Sequence, residues 1–462
     1  MTALILTGVA PSFADEKKAP DDKANNLTPS ADIDWSDAPS IEGTSGIVID
    51  AGSGDILYEK NAYEKRDPAS ITKILNALVV LETLDLDKVV TVNIGEIDPS
   101  GSNISLKNGE KMTVEQLLYA MLLGSANDAA DALAVATGGT IENFCEMMNK
   151  KAAECGAEDT DFSNASGLTE YGRNDHTTTA YDISMIAREA MKNPVFRKIV
   201  ATKSHTIPET NMSKARKLKN TNLCLYETDK TVEVNGTERV FRYEGTIGIK
   251  TGYTQVAGDC FCGAVKNGDT ELIAVVLNST SGEQRFADVM ALWDYTLPKY
   301  HTYVAARANE PVEDFRVWQG EKSSVSVTIA DDMDITLNNG SDDSSITVEA
   351  DKNDGFIKAP VKKGQTLGSL KAYDEDGNLV AESQLIAMNS VNKGGILSYI
   401  GIADESRLGF FIGIIIMLII LVLIRMVLVS MRRKKKKRRR AERNRNIRRR
   451  EWEREKDPFD KW

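Results

Sequence analysis

The chain has 462 residues, 42% apolar and 27% charged, with a formal net charge of −11. That length exceeds one ordinary domain, and that composition is globular, which excludes a disordered or collagen-like chain. Three histidines, none at ligand spacing, and five cysteines with no C-x-x-C exclude an ordinary zinc site.

Residues 1–14 begin with a short apolar region, 3–10, followed by Ser12-Phe13-Ala14, a small-x-small cleavage pattern. They lack the usual positive n-region but read as the remnant of a signal peptide. Residues 15–40 are a polar linker. "SGIVIDAGSGDILYEKN" then reads as two short strands around a Gly-rich turn.

The next run, "DPASITKILNALVVLE", predicts a helix over residues 70–81 that is apolar on nearly every side yet carries Lys73. Positions i and i+3 share a helix face, so Ser70-x-x-Lys73 presents a hydroxyl and an amine together. A serine hydroxyl is a weak nucleophile without a neighbouring base. Ile71, Ile74, Leu75, Leu78 and Leu81 surround the amine with apolar mass, and desolvation lowers a lysine pKa. The helix start adds the positive end of its dipole beside Ser70. A second S-x-x-K, Ser390 to Lys393, has no apolar helix behind it and reads as a decoy.

"TVEQLLYAMLLG" predicts a helix opened by a Thr113/Gln116 capping box. A second helix, "NDAADALAVATGG", follows the loop Gly124-Ser125-Ala126-Asn127. Ser125 there can relay a proton and Asn127 can hold a peptide oxygen, or the pair can simply cap the following helix. "EGTIGIKTG" reads as a strand ending in Lys250-Thr251-Gly252. Lysine and threonine on a strand edge suit a substrate carboxylate, and Gly252 lets a ligand backbone approach. "AGDCFCGAVKNGDTELIAVVLNS" predicts two strands around an Asn267-Gly268 turn. "SGEQRFADVMALWDYTL" predicts a closing helix with Phe286, Val289, Trp293 and Leu297 inward and Ser281 near its start. The cysteines, Cys260 and Cys262 included, read as small buried hydrophobes. The order of elements predicts an α/β (α+β) fold, an antiparallel sheet whose first hairpin joins the late strands, flanked by helices.

Residues 301–390 change to short alternating strands and predict a small all-β sandwich domain. Residues 391–407 link it to 408–430, a 23-residue apolar stretch with one charge, Arg425, that is long enough to cross a bilayer. Residues 431–462 hold 17 Lys and Arg against 6 Asp and Glu, which leaves a net −22 on everything before them. Beside a span, a basic run sets topology and meets anionic lipid. It predicts a cytoplasmic tail, an extracytoplasmic catalytic domain and no nucleic-acid partner.

Ser70-x-x-Lys73, Ser125-x-Asn127 and Lys250-Thr251-Gly252, in this order, resemble the signature of the penicillin-recognising serine hydrolases. "PASITK", "GSANDAADALA", "FSNASGLTEYGRNDHTTTAYDISMIAR", "NTNL" and "GIKTGYTQVAGDCF" are similar to the serine-type D-alanyl-D-alanine carboxypeptidases, low-molecular-mass penicillin-binding proteins, over about residues 43–297. The resemblance implies a β-lactamase/transpeptidase-like catalytic domain, residues 41–300. It also implies that Ser70, Lys73 and Ser125 are catalytic, and that Asn127, Lys250, Thr251, Gly252 and Tyr253 bind substrate. Ser70 would be acylated by the D-Ala-D-Ala end of a peptidoglycan stem peptide or by a β-lactam, without cofactor or metal. The backbone N–H groups of Ser70 and Tyr253 would form the oxyanion hole. Three departures stand out: Ala126 where the family has glycine, Ile247-Gly248 before the third motif, and a longer segment at 226–244. A β-lactamase would need a Glu-x-x-Leu-Asn loop that is missing here. A DD-endopeptidase shares the bond chemistry, and a non-catalytic wall-binding scaffold would share only the fold.

Overall fold

The computed structural model describes residues 35–455 apart from 94, 96, 98–99, 170–174 and 354. The signal remnant, residues 1–14, and most of the linker lie outside the described residues. The chain forms two compact units. The first holds residues up to 306 together with 332–348 and 372–382.

At the centre of the first unit is a five-stranded antiparallel sheet. Its order is Ile56–Lys60, Ser45–Asp50, Thr270–Ser279, Gly258–Asn267 and Thr246–Thr254. The first hairpin joins the late strands as expected, with Ser45 opposite Leu277 and Asp50 opposite Leu272. Successive side chains of a strand point to opposite faces. Ile47, Ile49, Cys260, Cys262, Ile273 and Val275 therefore enter one core with the helices that lie between the strands in sequence. Val48, Phe261, Leu272, Ala274 and Val276 enter a second core under the closing helix, Gln284–Thr296, with Phe286, Val289 and Trp293. Both faces are covered, so these strands are near-continuous apolar runs instead of alternating ones. All five cysteines are free, and four are buried while Cys155 is half-buried.

The capping box at Thr113 and Gln116 forms, and the helix it opens is Val114–Leu123. Ser281 Oγ accepts the Gln284 N–H at the start of the closing helix. The helix expected over 70–81 starts later: Ala69–Thr72 is a 3-10 turn and the α-helix is Lys73–Thr83. Lys73 through Val80 are all buried, so this helix is the core of the unit and not an amphipathic surface element. The long segment before the third motif contains a hairpin, Thr231–Val234 with Thr237–Val240. Its turn residues Asn235 and Gly236 take φ of 49° and 75°, the two positive values a type I′ turn requires. Val234 is buried in the second core.

Tyr300–Ala306 pairs antiparallel with Met333–Asn338, both within the first unit. Most strands of the second unit lie in a six-stranded sheet. Its order is Thr347–Lys352, Thr366–Tyr373, Leu379–Ala387, Ser324–Ile329, Glu313–Trp318 and Ile357–Lys358. Phe315, Val317, Val325, Val327, Leu370 and Leu385 form its buried face. The last element is a helix of 49 residues, Arg407–Glu455. Among the described residues it is the one helix long and apolar enough, by length and composition, to cross a membrane. Residues 408–430 alone give about 35 Å at 1.5 Å per residue, against about 30 Å of hydrocarbon.

Candidate active site

The turn that carries Ser70 is shaped by its neighbours. Asp67 Oδ1 accepts the Ala69 N–H at 3.0 Å, and Thr72 Oγ1 donates to the Ala69 carbonyl at 2.8 Å. Ala69 is thereby held at φ of 47°, in the left-handed region. A non-glycine residue stays there only where its surroundings hold it, at about 1–3 kcal/mol. Ser125, in the loop between Val114–Leu123 and Asn127–Gly138, is held at φ of 56°. Two of the three motifs thus sit at or beside strained backbone.

Lys73 is fully buried, and its Nζ lies 2.9 Å from Ser70 Oγ, 2.7 Å from Asn127 Oδ1 and 2.5 Å from the Ser166 carbonyl. The Asn127 amide has one orientation, because its Nδ2 donates to the Ser100 carbonyl at 2.8 Å. Asn127 Oδ1 and Ser166 O can only accept. A neutral amine has two N–H bonds and one lone pair. Those two acceptors take both N–H bonds and leave the lone pair for the Ser70 hydroxyl. Burial pushes Lys73 down to about 7, against the opposing pull of the Asp131 and Asp128 carboxylates. The uncharged amine is therefore well populated at neutral pH.

The second lysine behaves differently from its expected role. Lys250 is also fully buried, and its Nζ donates to Ser125 Oγ at 2.9 Å and to the Thr251 carbonyl at 2.8 Å. Burial first, then the charges of Lys73 and Arg285, push it well below its ordinary value. Its amine is thus held by Ser125 and by the carbonyl of the next residue. Thr251 Oγ1 donates to Thr221 Oγ1 at 2.7 Å. Tyr253 is 61% exposed on the same edge strand.

Gly252 also has a different reason from the expected one. A Cβ there would lie 3.0 Å from the Pro68 carbonyl and 3.2 Å from Ala69 Cβ and Ile71 Cγ1. The glycine lets the edge strand close onto the Ser70 turn. Asn127 holds Lys73 and the Ser100 carbonyl with both ends of its amide.

All eight predicted residues come together in the first unit. Four partners were not foreseen: Ser166, Ser100, Thr221 and Arg285, whose guanidinium donates to the Gly252 carbonyl at 2.8 Å and pairs with Asp259 at 3.0 Å. Two of the four act through backbone carbonyls, which leave no mark in side-chain chemistry. Ser166 lies in "FSNASGLTEYGRNDHTTTAYDISMIAR" and Thr221 in "NTNL", the two signals available in the sequence.

This constellation agrees with comparison to known proteins. Residues 33–281 match the D-alanyl-D-alanine carboxypeptidase family. The chain belongs to that family. Residues 300–393 match the C-terminal domain of penicillin-binding protein 5. The D-alanyl-D-alanine carboxypeptidase DacF of Bacillus subtilis (strain 168) is 33% identical over 365 residues, 78% of this chain and 88% of that protein. Among solved structures, penicillin binding protein 5 from Haemophilus influenzae is 25% identical with a TM-score of 0.59, covering 77% of this chain and 99% of that one. A peptidoglycan synthesis regulatory factor from Streptococcus pneumoniae has the same identity and TM-score and covers 77% of this chain and 100% of that one. The first match spans the five-stranded sheet, and the second spans the C-terminal strands.

Proposed function

We propose that this D-alanyl-D-alanine carboxypeptidase removes the terminal D-alanine of peptidoglycan stem peptides through an acyl-enzyme on Ser70. The observation that carries the reading is Lys73 Nζ, fully buried, 2.9 Å from Ser70 Oγ and held by Asn127 Oδ1 and the Ser166 carbonyl. Ser70 Oγ attacks the carbonyl of the D-Ala–D-Ala bond as its proton passes to Lys73. The N–H groups of Ser70 and Tyr253 stabilise the oxyanion. Collapse breaks the C–N bond: the leaving amine takes the Ser125 proton, the Lys73 ammonium reprotonates Ser125 and returns to the neutral amine, and Lys250 holds Ser125 in place. Water then attacks the ester and restores Ser70. Thr251 receives the terminal carboxylate at the cleft, and Lys250 behind it contributes through Ser125.

A β-lactam offers Ser70 an amide with no departing amino acid, so acylation stops at a slow ester. The apolar stretch 408–430 anchors the chain as a single pass. The basic run after it supports a cytoplasmic tail with the catalytic unit outside.

Incubation with a D-Ala-D-Ala pentapeptide tests the reading, with mass detection of free D-alanine and of the ester. Wild-type protein releases D-alanine and takes a fluorescent penicillin, and Ser70→Ala does neither. Wild-type protein that takes no label, or Ser70→Ala that labels equally, overturns it.

A further inference from the structure

We infer that His176 is a positioning residue for acylation: its imidazole ties the turn that presents Ser70 to the loop that orients Lys73. This rests on the reading of Ser70 as nucleophile and Lys73 as base.

His176 is buried, and its ring stacks on Phe162 with centroids 4.7 Å apart and planes at 15°. Ser163 N lies 3.1 Å from Nδ1, and Thr72 Oγ1 lies 2.8 Å from Nε2. An amide N–H can only donate, so Nδ1 carries no proton and the ring proton sits on Nε2. Nε2 therefore donates to Thr72 Oγ1, whose own proton goes to the Ala69 carbonyl. Every hydrogen in the chain from Ser163 to Ala69 has one direction. Burial pushes His176 down to about 3, with Asp175 opposing and Lys73 reinforcing the shift, so the neutral ring persists across the working range.

Each end of this chain touches the chemistry. Ala69 is the strained residue immediately before Ser70. Gly167 packs on the same carbonyl, where a Cβ at 167 would come within 1.8 Å of Ala69 O. Ser163 opens the run whose Ser166 carbonyl accepts from Lys73 Nζ, and Asn164 Oδ1 fixes that run by taking the N–H groups of Ser166 and Gly167. One imidazole thus sets the spacing between the nucleophile's turn and one of the two acceptors that aim the base. A buried histidine that merely fills space would need neither link.

The test compares acylation of the full-length protein by a fluorescent penicillin, at pH 5 to 9, in four variants. His176→Asn keeps an acceptor near Ser163 N but loses the donor to Thr72, and Thr72→Val loses the same link from the other side. His176→Gln and Thr72→Ser each retain it. Displacement of a reacting group by about 1 Å lowers rates about 100-fold. His176→Asn and Thr72→Val should each acylate roughly 10- to 100-fold more slowly, and their double variant no more slowly than the slower single. His176→Gln and Thr72→Ser should recover most of the rate. The pH midpoint of acylation should move upward in the two damaged variants, because a loosened loop admits water to Lys73 and favours its ammonium. Melting curves confirm that each variant is folded; if His176→Asn is not, the comparison of Thr72→Val with Thr72→Ser decides alone. Folded variants that acylate at the wild-type rate with an unmoved midpoint overturn the inference, and so do losses that multiply in the double variant. Wild-type protein that takes no label would instead overturn the reading of Ser70 and Lys73.

Discussion

The reading of Lys73 as a neutral base predicts the shape of the pH–rate profile. Burial brings the amine from the ordinary lysine value of 10.5 to about 7. At 1.36 kcal/mol per unit, that shift is about 5 kcal/mol of preference for the uncharged form. The sign follows from linkage. The folded value lies below the unfolded one, so stability is lost as pH falls from about 10.5 to about 7, where the unfolded chain takes up a proton that the folded one refuses. Activity follows the neutral amine, with about half present at pH 7 and about 1% at pH 5. The acylation rate by a fluorescent penicillin should therefore rise about 100-fold from pH 5 to a plateau above pH 8. Stopped-flow mixing in matched ionic strength measures it, with the folded state checked at each pH. Lys73→Arg removes the lone pair, because a guanidinium stays charged. Its acylation should fall about 1,000-fold, within the range of lost general-base catalysis. A wild-type rate that is flat from pH 5 to 9, or that still climbs tenfold per unit beyond pH 9, refutes the neutral-amine argument. Near-normal acylation by folded Lys73→Arg refutes it as well.

Three further outcomes follow from the packing around the site. Glu110 is fully buried and takes Arg216 at 2.8 and 3.0 Å and Thr210 at 2.7 Å. Glu110→Gln leaves Arg216 without its counter-charge and should cost about 3 kcal/mol by denaturant titration; a loss below 1 kcal/mol contradicts the pair's importance. Gly252→Ala forces a Cβ to 3.0 Å from the Pro68 carbonyl and should cost about 1–3 kcal/mol while slowing acylation. An unchanged melting temperature and rate would show that the strand-to-turn fit is slack. Deleting residues 408–462 should release a soluble protein that acylates at the full-length rate, measured with the same penicillin. A folded but inactive product would show that these residues do more than anchor.

The reactive side chains were legible in the sequence because their chemistry is local. Ser70 and Lys73 are three residues apart, and Lys250 and Thr251 are adjacent. The sheet was legible for a related reason, since Asn267-Gly268 marks a hairpin and both strands beside it are apolar throughout. The tuning of the site was not. Lys73 is held by a carbonyl 93 residues away, and that carbonyl carries no information about its role in the letter Ser166. Thr366–Tyr373 lies inside the six-stranded sheet although Gly368 and Ser369 interrupt its alternation. The expected role of Gly252 shows the same limit from the other direction. Sequence reasoning knows that a glycine makes room, but only the fold says for what, and here the occupant is the Ser70 turn itself.

That asymmetry bears on the three departures from the family pattern. Ala126 is fully buried in the core cluster, with its N–H on the Ala120 carbonyl. The inserted hairpin at 231–240 packs with Phe241 and Cys224 into the core beneath the closing helix, on the far face of the sheet from Lys73. Ile247 is a partly buried neighbour of the Lys73-side core. None of these residues contacts Lys73, Ser125 or Asn127 through the bonds that set their geometry. The hydrogen bonds to Lys73, Asn127 and Thr251 run instead through Ser166, Ser100, Ser102 and Thr221, in segments that carry no motif lysine or serine nucleophile. Differences in rate or donor choice between this chain and its relatives should therefore be sought in those supporting loops before the motifs or the insertion.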